Sequence, residues 1–223
     1  MAPHMSIDRY SGNRSGAISG LYALTPDTND TDTLLMQVEQ ALTGGVRVLQ
    51  YRNKSTNAAL RREQAFALLR ICRRHGVPFI VNDDLALACE LDADGVHLGR
   101  EDGDLAGARS VLGPQKLLGA SCYRDVTLAI TACEQGADHV AFGSFFASST
   151  KPSAVRSNPT LLSEARARLT VPIVAIGGIT AQNAGVLIAA GATAVAVVSA
   201  LFDAPDIVAS AQAFGRLFDK GPQ

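Results

Sequence analysis

Along the whole chain, short runs of apolar residues alternate with longer segments of helical periodicity, and no other feature constrains the fold as much. The strand candidates are Ile18–Leu24, Val46–Tyr51, Pro78–Val81, Gly95–Leu98, Leu117–Ser121, His139–Phe142, Ile173–Ile176 and Ala194–Val198. Several are apolar almost throughout, which suits parallel strands covered on both faces. Between them, Leu34, Val38 and Leu42 recur every four residues, and Ala65, Leu68, Leu69 and Cys72 mark one face of the next helix. Gly44, Gly76, Gly136 and Gly191 each follow a helical pattern, where a C-terminal cap calls for left-handed backbone. The phrases Gly-Val-Pro before Phe79, Gly-Ala-Asp before His139 and Gly-Ala-Thr before Ala194 read as helix-to-strand turns. Eight strand–helix units within 223 residues predict an α/β fold, a single (β/α)8 TIM barrel spanning 18–220. Ahead of it, the polar, Ser/Gly-rich stretch 1–17 is expected to be a flexible N-terminal segment. An open doubly wound sheet is the alternative, but no GxGxxG follows the first strand.

Composition limits the partners. With 47% hydrophobic and 18% charged residues the chain can fill a barrel core, and its net charge of −1 gives no electrostatic ground for a nucleic-acid or membrane-surface partner. A bound anion therefore needs a local site. Cys72, Cys89, Cys122 and Cys133 are widely separated and form no CxxC pair, which points away from metal clusters and disulfide frameworks and towards a reduced, cytoplasmic setting. Met1 to Ser15 lacks the apolar stretch of a secretory signal. Val186 to Phe202 carries no charge and imitates a membrane span, but Gly191-Ala192-Thr193 divides it into a helix-like half and a β-branched half, so it reads as two buried elements. A homodimer is compatible with all of this.

In a barrel the loops after the strands carry the site, and the unusual polar residues fall there. After strand two, Gln50, Arg52 and Lys54 would project to one side of an extended backbone, as a polyphosphate clamp or as a solvated loop with two stray cations. After strand three comes Asn82-Asp83-Asp84, and after strand four His97-Leu98-Gly99-Arg100-Glu101-Asp102. Carboxylates at neighbouring strand ends suit Mg²⁺, which uses one or two of them plus substrate oxygens. One of Asp83 and Asp84 can instead cap the following helix, and His97 reads as barrel lining as readily as a catalytic group. Ser121 follows strand five. Gly143 to Pro152 after strand six, with Ser148, Thr150 and Lys151, supply anion donors or an inert loop. Gly177-Gly178 after strand seven and Val198-Ser199 after strand eight stand where barrels bind phosphate, although glycines also serve tight turns.

Taken in order, these phrases resemble the thiamine-phosphate synthase family, over about Ile18 to Phe218. The resemblance rests on Gln50-x-Arg52-x-Lys54, Val81-Asn82-Asp83, Gly95-Val96-His97-Leu98-Gly99-x-Glu101-Asp102, Gly119-x-Ser121, Thr150-Lys151 and Ile176-Gly177-Gly178-Ile179. Such enzymes join 4-amino-2-methyl-5-hydroxymethylpyrimidine diphosphate to a thiazole phosphate, releasing pyrophosphate through a pyrimidine carbocation. The resemblance implies Mg²⁺ on Asp83 and Asp102. It implies diphosphate contacts from Gln50, Arg52, Lys54, Asn82 and Lys151, with Ser121 near the leaving group. Thr150, Ser148, Gly177, Gly178, Val198 and Ser199 would form the thiazole-phosphate side.

There are departures: Asn53 where an acid is common, Arg100 where Gln is common, and Ala147-Ser148 for the usual Pro-Thr. A thiazole tautomerase on the same barrel is the nearest rival, but that relative has a catalytic histidine where this chain has Tyr123. A non-catalytic phosphate-ligand sensor would not need both carboxylates and the loop cations. A sugar-phosphate isomerase would need an acid/base pair that a lone His97 does not supply.

Overall fold

The alternating residues of each strand have two different hydrophobic destinations. In β1 (Gly20–Leu24), Leu21 and Ala23 enter the layer under the helices, whereas Tyr22 and Leu24 point into the barrel. The same split holds for β2 (Val48–Tyr51), β3 (Phe79–Asn82), β5 (Leu117–Tyr123), β6 (His139–Gly143), β7 (Ile173–Ile176) and β8 (Ala194–Val197), whereas β4 (Gly95–Leu98) sends Val96 and Leu98 under the helices and no apolar side chain into the interior cluster. Both faces being covered explains why the strands read as nearly continuous apolar runs. In this computed structural model, which describes residues 14–147 and 155–219, the strands pair in parallel and in sequence order. The barrel closes between β1 and β8, with Gly20 opposite Ala194. A closed parallel barrel with alternating helices is the expected architecture, and the open sheet is excluded.

The helices are α1 (Thr31–Thr43), α2 (Ala58–His75), α3 (Leu85–Glu90), α4 (Leu105–Leu112), α5 (Val126–Glu134), α6 (Thr160–Arg168), α7 (Ala184–Ala189), α8 (Ser199–Phe202) and α9 (Ile207–Asp219). The expected stripes are buried: Leu34, Val38 and Leu42 on α1, and Ala65, Leu68, Leu69 and Cys72 on α2. Val186 to Phe202 is divided by Gly191 between α7 and β8 as anticipated, but it holds three elements where two buried ones were expected: α8 follows β8, and Val186 on α7 is exposed. Among the described residues no helix is long and apolar enough to cross a membrane. Residues Arg14–Ala17 make a short 3-10 turn, and the adjoining Ile18 plugs the barrel interior at 1% exposure.

The helix-to-strand turns carry a repeated device. Asp94, Asp138 and Thr193 each stand immediately before an even-numbered strand. Their side chains accept the N–H of Phe79, Leu118 and Ile173 on the preceding odd-numbered strand, at 2.8–2.9 Å. Each bond contributes about 1 kcal/mol net and fixes register at the face away from the site. Arg109 ties that face further through Asp138 and the carbonyls of Gly136, Gly113 and Lys116. Gly76, Gly136 and Gly191 have the left-handed backbone expected of them. Gly44 does not: its φ is −75° and the left-handed residue is Gly45. The reason for Gly44 is close packing, since a Cβ there would lie 2.6 Å from that of Ala211 on α9.

Candidate functional site

The candidate site is assembled at the C-terminal strand ends from side chains that the barrel register sets next to one another. Gln50 is buried inside the barrel, and its Nε2 donates to Asn82 Oδ1 at 2.6 Å. Asn82 is the register partner of His97, and His97 of Gly119. His97 Nε2 lies 2.9 Å from Ser121 Oγ. Gln50, Asn82, His97 and Ser121 thus form a polar layer across β2 to β5, with Ser121 half-buried at its outer edge.

The two proposed ligating acids face each other above this layer. Asp84 is the N-cap of α3, accepting the Leu87 N–H at 2.9 Å, so the cap does not fall to Asp83. Asp83 sits at φ 64°, a left-handed backbone uncommon for a residue with a side chain, and its N–H donates to the His97 carbonyl at 2.8 Å. Asp102 folds back so that its Oδ2 accepts the Gly99 N–H at 2.8 Å. Partial burial, together with the hydrogen-bonded contact and negative charge of Asp102, pushes the Asp83 carboxyl up to about 6; Asn82 and Arg52 partly offset this. Two carboxylates held in contact are suited to a hard cation, which would relieve their repulsion. Among the described residues no cluster of three or more potential ligands forms, so any such ion would take its other ligands from substrate or water.

The β2–α2 loop departs from the expected geometry. β2 ends at Tyr51, so period-two alternation reaches Gln50 but not Arg52 and Lys54. Those two are positioned instead by Asp27, after β1. Asp27 Oδ2 pairs with Arg52 Nη1 at 2.6 Å, and its Oδ1 accepts the Lys54 backbone N–H at 2.8 Å. Beneath it, the buried Thr25 hydroxyl both accepts the Arg52 N–H and donates to the Arg52 carbonyl, each at 2.9 Å. Gln64 of α2, fully buried, accepts from Tyr51 and Asn53 and donates to the Thr28 carbonyl. The Asn53 amide donates to Thr28 as well, which a carboxylate could not do, and this accounts for Asn at that position. Thr25, Asp27 and Gln64 escaped the sequence reading. A Thr-Pro-Asp after a strand looks like an ordinary turn, and a glutamine in a helix looks like solvated surface.

At the opposite rim, Gly177 and Gly178 follow β7, and Val198 and Ser199 follow β8, with Ser199 opening α8; all four are half-buried. The β6–α6 loop lies over the glycines: Phe145 N–H donates to the Ile176 carbonyl and Phe146 N–H to that of Gly177. Ser148, Thr150 and Lys151 lie outside the described residues. Arg100, one of the departures from the family pattern, stacks on Tyr123, 5.4 Å from its ring centroid. A recess of about 810 Å³ opens beside this pair, lined also by Arg124, Asp125 and Glu164. It contains none of the residues of the polar layer, and the chemistry is better placed at the layer, where buried donors converge.

Residues 21–201 match the sequence model of a family described as thiamine monophosphate synthase. A thiamine-phosphate synthase of Aromatoleum aromaticum is 56% identical over 202 residues, covering 91% of this chain and 97% of that protein. One of Thiobacillus denitrificans is 55% identical over 204 residues, covering 92% and 97%. Among solved structures, a thiamine phosphate pyrophosphorylase of Pyrococcus furiosus superposes with a TM-score of 0.81 at 29% identity, covering 90% of this chain and 96% of its own. A 3-hexulose-6-phosphate synthase, at 16% identity and a TM-score of 0.68, shares the fold alone.

Proposed function

The chain belongs to the thiamine-phosphate synthase family, and from that we propose how its strand ends divide the work of joining a pyrimidine diphosphate to a thiazole phosphate. The substrates are 4-amino-2-methyl-5-hydroxymethylpyrimidine diphosphate and 4-methyl-5-(2-phosphoethyl)thiazole, or its carboxylated form. The bond from the pyrimidine methylene to the diphosphate breaks with its electrons leaving on pyrophosphate. The thiazole nitrogen then attacks the methylene cation, giving thiamine phosphate. The observation that carries this reading is the facing pair Asp83 and Asp102 beside Arg52 and the Gln50–Asn82 layer.

The protein's part is positioning and charge, not nucleophilic attack. The carboxylates of Asp83 and Asp102 fit Mg²⁺, which supplies positive charge to the departing pyrophosphate. Arg52, Lys54 and Lys151 offer cationic donors to the diphosphate, Gln50 and Asn82 orient it, and Ser121 donates to the oxygen that leaves. Gly177, Gly178, Val198 and Ser199, with Ser148 and Thr150, receive the thiazole phosphate across the barrel mouth. The free cysteines fit a reducing, cytoplasmic setting. Tyr123, held against Arg100, has no imidazole to offer a tautomerase reaction.

The direct test supplies both substrates to the purified protein with and without Mg²⁺ and assays both products. Stoichiometric, Mg²⁺-dependent thiamine phosphate and pyrophosphate are expected. No product from folded protein, or isomerisation of the carboxythiazole phosphate alone, would overturn the reading.

Asp27 supplies a second test. If it aims Arg52 and holds the Lys54 backbone, Asp27→Ala should lower kcat/KM about tenfold through lost orientation. With Asp27 itself at the solvent, the pair adds no more than about 1 kcal/mol although Arg52 is largely covered, so folding stability should change little. A faster enzyme with tighter diphosphate binding would show instead that Asp27 merely damps the cation.

A further inference from the structure

One buried group of the barrel is not used by the mechanism above. His97, Gly119 and His139 are register partners on β4, β5 and β6, so the two imidazoles flank a glycine in one interior layer. A Cβ on Gly119 would lie 2.3 Å from His139 Nε2 and 2.4 Å from His97 Nδ1. The missing side chain is what lets the rings meet, Nδ1 of His97 to Nε2 of His139 at 3.4 Å. The other nitrogen of His97 meets Ser121, and the other nitrogen of His139, Nδ1, is buried with no hydrogen-bond partner among the described residues. We propose that His139 is a positioning residue that, through His97, sets the direction in which the Ser121 hydroxyl presents its proton. This rests on the synthase reading, in which Ser121 meets the diphosphate.

Both rings are buried, His97 at 6% and His139 at 0% exposure, and among the described residues neither has a carboxylate hydrogen-bond partner, so each ring is neutral and carries one proton. The contact between the rings needs one N–H and one lone pair, which leaves two arrangements. In the inward one, Ser121 donates to His97, His97 donates to His139, and His139 Nδ1–H is left as a buried N–H without an acceptor. In the outward one, His139 Nε2–H donates to His97 Nδ1, and His97 Nε2–H donates to Ser121 Oγ. The unpaired atom is then a bare lone pair on His139 Nδ1. Buried orphan N–H groups are rarer and costlier than under-used acceptors, so the outward arrangement wins. Ser121 already accepts from His97 and is left with its own proton aimed at the barrel mouth, where an anion needs a donor. Running the other way, the chain would offer the diphosphate only lone pairs.

Nitrogen-15 NMR of histidine-labelled protein without substrates reads the tautomers directly. Outward polarity predicts His97 protonated on Nε2 and bare on Nδ1, and His139 protonated on Nε2. A proton on His97 Nδ1 overturns the proposal, and because no turnover is involved, that outcome is separate from failure of the synthase reading. In His139→Phe, His97 should populate both tautomers and kcat should fall on the order of tenfold. KM for the thiazole phosphate should stay unchanged. His139→Gln, whose amide can donate from the Nε2 position, should recover most of the loss. Wild-type kcat and an unchanged His97 tautomer in His139→Phe would also overturn it. Should that variant fail to fold, the wild-type spectrum and the Gln variant still decide.

Discussion

Asp83→Asn should abolish Mg²⁺-dependent synthesis, by about a thousandfold or more in kcat, while leaving the protein at least as stable at neutral pH. The two halves of this expectation come from different properties of one residue. Asn tolerates the left-handed backbone that Asp83 adopts at φ 64°, so the turn from β3 into α3 survives. The Asp84 cap is untouched. The substitution removes one of two carboxylates in contact, and with it a repulsion that the folded chain carries and the unfolded chain does not. Partial burial and the Asp102 contact raise the folded-state value from 3.8 to about 6, so between those values the native state binds more protons than the unfolded state. Stability of the metal-free protein therefore falls as pH rises from about 4 through about 6, and Asp83→Asn should flatten that fall. Denaturant titrations at pH 4.5 and 7.5, beside product assays over a Mg²⁺ series, read both halves. Retained turnover would remove Asp83 from the metal site. A loss of stability at pH 7.5 would mean that its carboxylate holds the fold through a contact other than the repulsive one. Asp84→Ala is the natural contrast: it should cost about 1 kcal/mol as a lost cap and leave turnover largely intact.

The contrast between Asp83 and Asp84 also shows what the sequence could and could not convey. Two adjacent aspartates after a strand announce both a helix cap and a ligand, and the chain alone does not say which is which. The assignment depends on a left-handed turn whose partner lies on the next strand, in the His97 carbonyl that accepts the Asp83 N–H. The strands and helices were legible because each is a local statement: a run covered on both faces, a stripe at helical spacing, a glycine after a helix. The cap at Gly44 failed for the same reason in reverse, since that glycine answers to α9, far along the chain. Arg52 and Lys54 were recognisable as cations at a strand end, but their aim belongs to Asp27 and Thr25 on the neighbouring strand's loop. His139 looked like the first residue of a buried strand and nothing more. Its significance arises only when β4, β5 and β6 align and Gly119 leaves room between two rings.

Gly178→Ala, the addition of one methyl group, should damage both stability and activity. Gly178 has φ 64°, where an alanine costs roughly 1–2 kcal/mol. Its added Cβ would stand 2.1 Å from the Ala147 carbonyl oxygen and 2.8 Å from the carbonyl carbons of both Ala147 and Phe146. All three are backbone atoms, so relief requires moving the β6–α6 loop, and overpacking of this kind adds about 1–3 kcal/mol. The displaced backbone leads directly into Ser148, Thr150 and Lys151, so the damage should exceed what destabilisation explains. A fall of about a hundredfold in kcat/KM is expected even at temperatures where the variant is fully folded, with KM for the thiazole phosphate raised. Gly185→Ala, in α7, is the matched control: nothing lies within 4 Å of a Cβ there, and removing a helical glycine should stabilise by about 0.5–1 kcal/mol. Thermal denaturation and steady-state kinetics on the two variants separate the effects. If Gly178→Ala keeps the wild-type KM for thiazole phosphate while losing stability, the glycine serves only the approach of the loop. The phosphate would then have to be held by Val198, Ser199 and the β6–α6 hydroxyls without it.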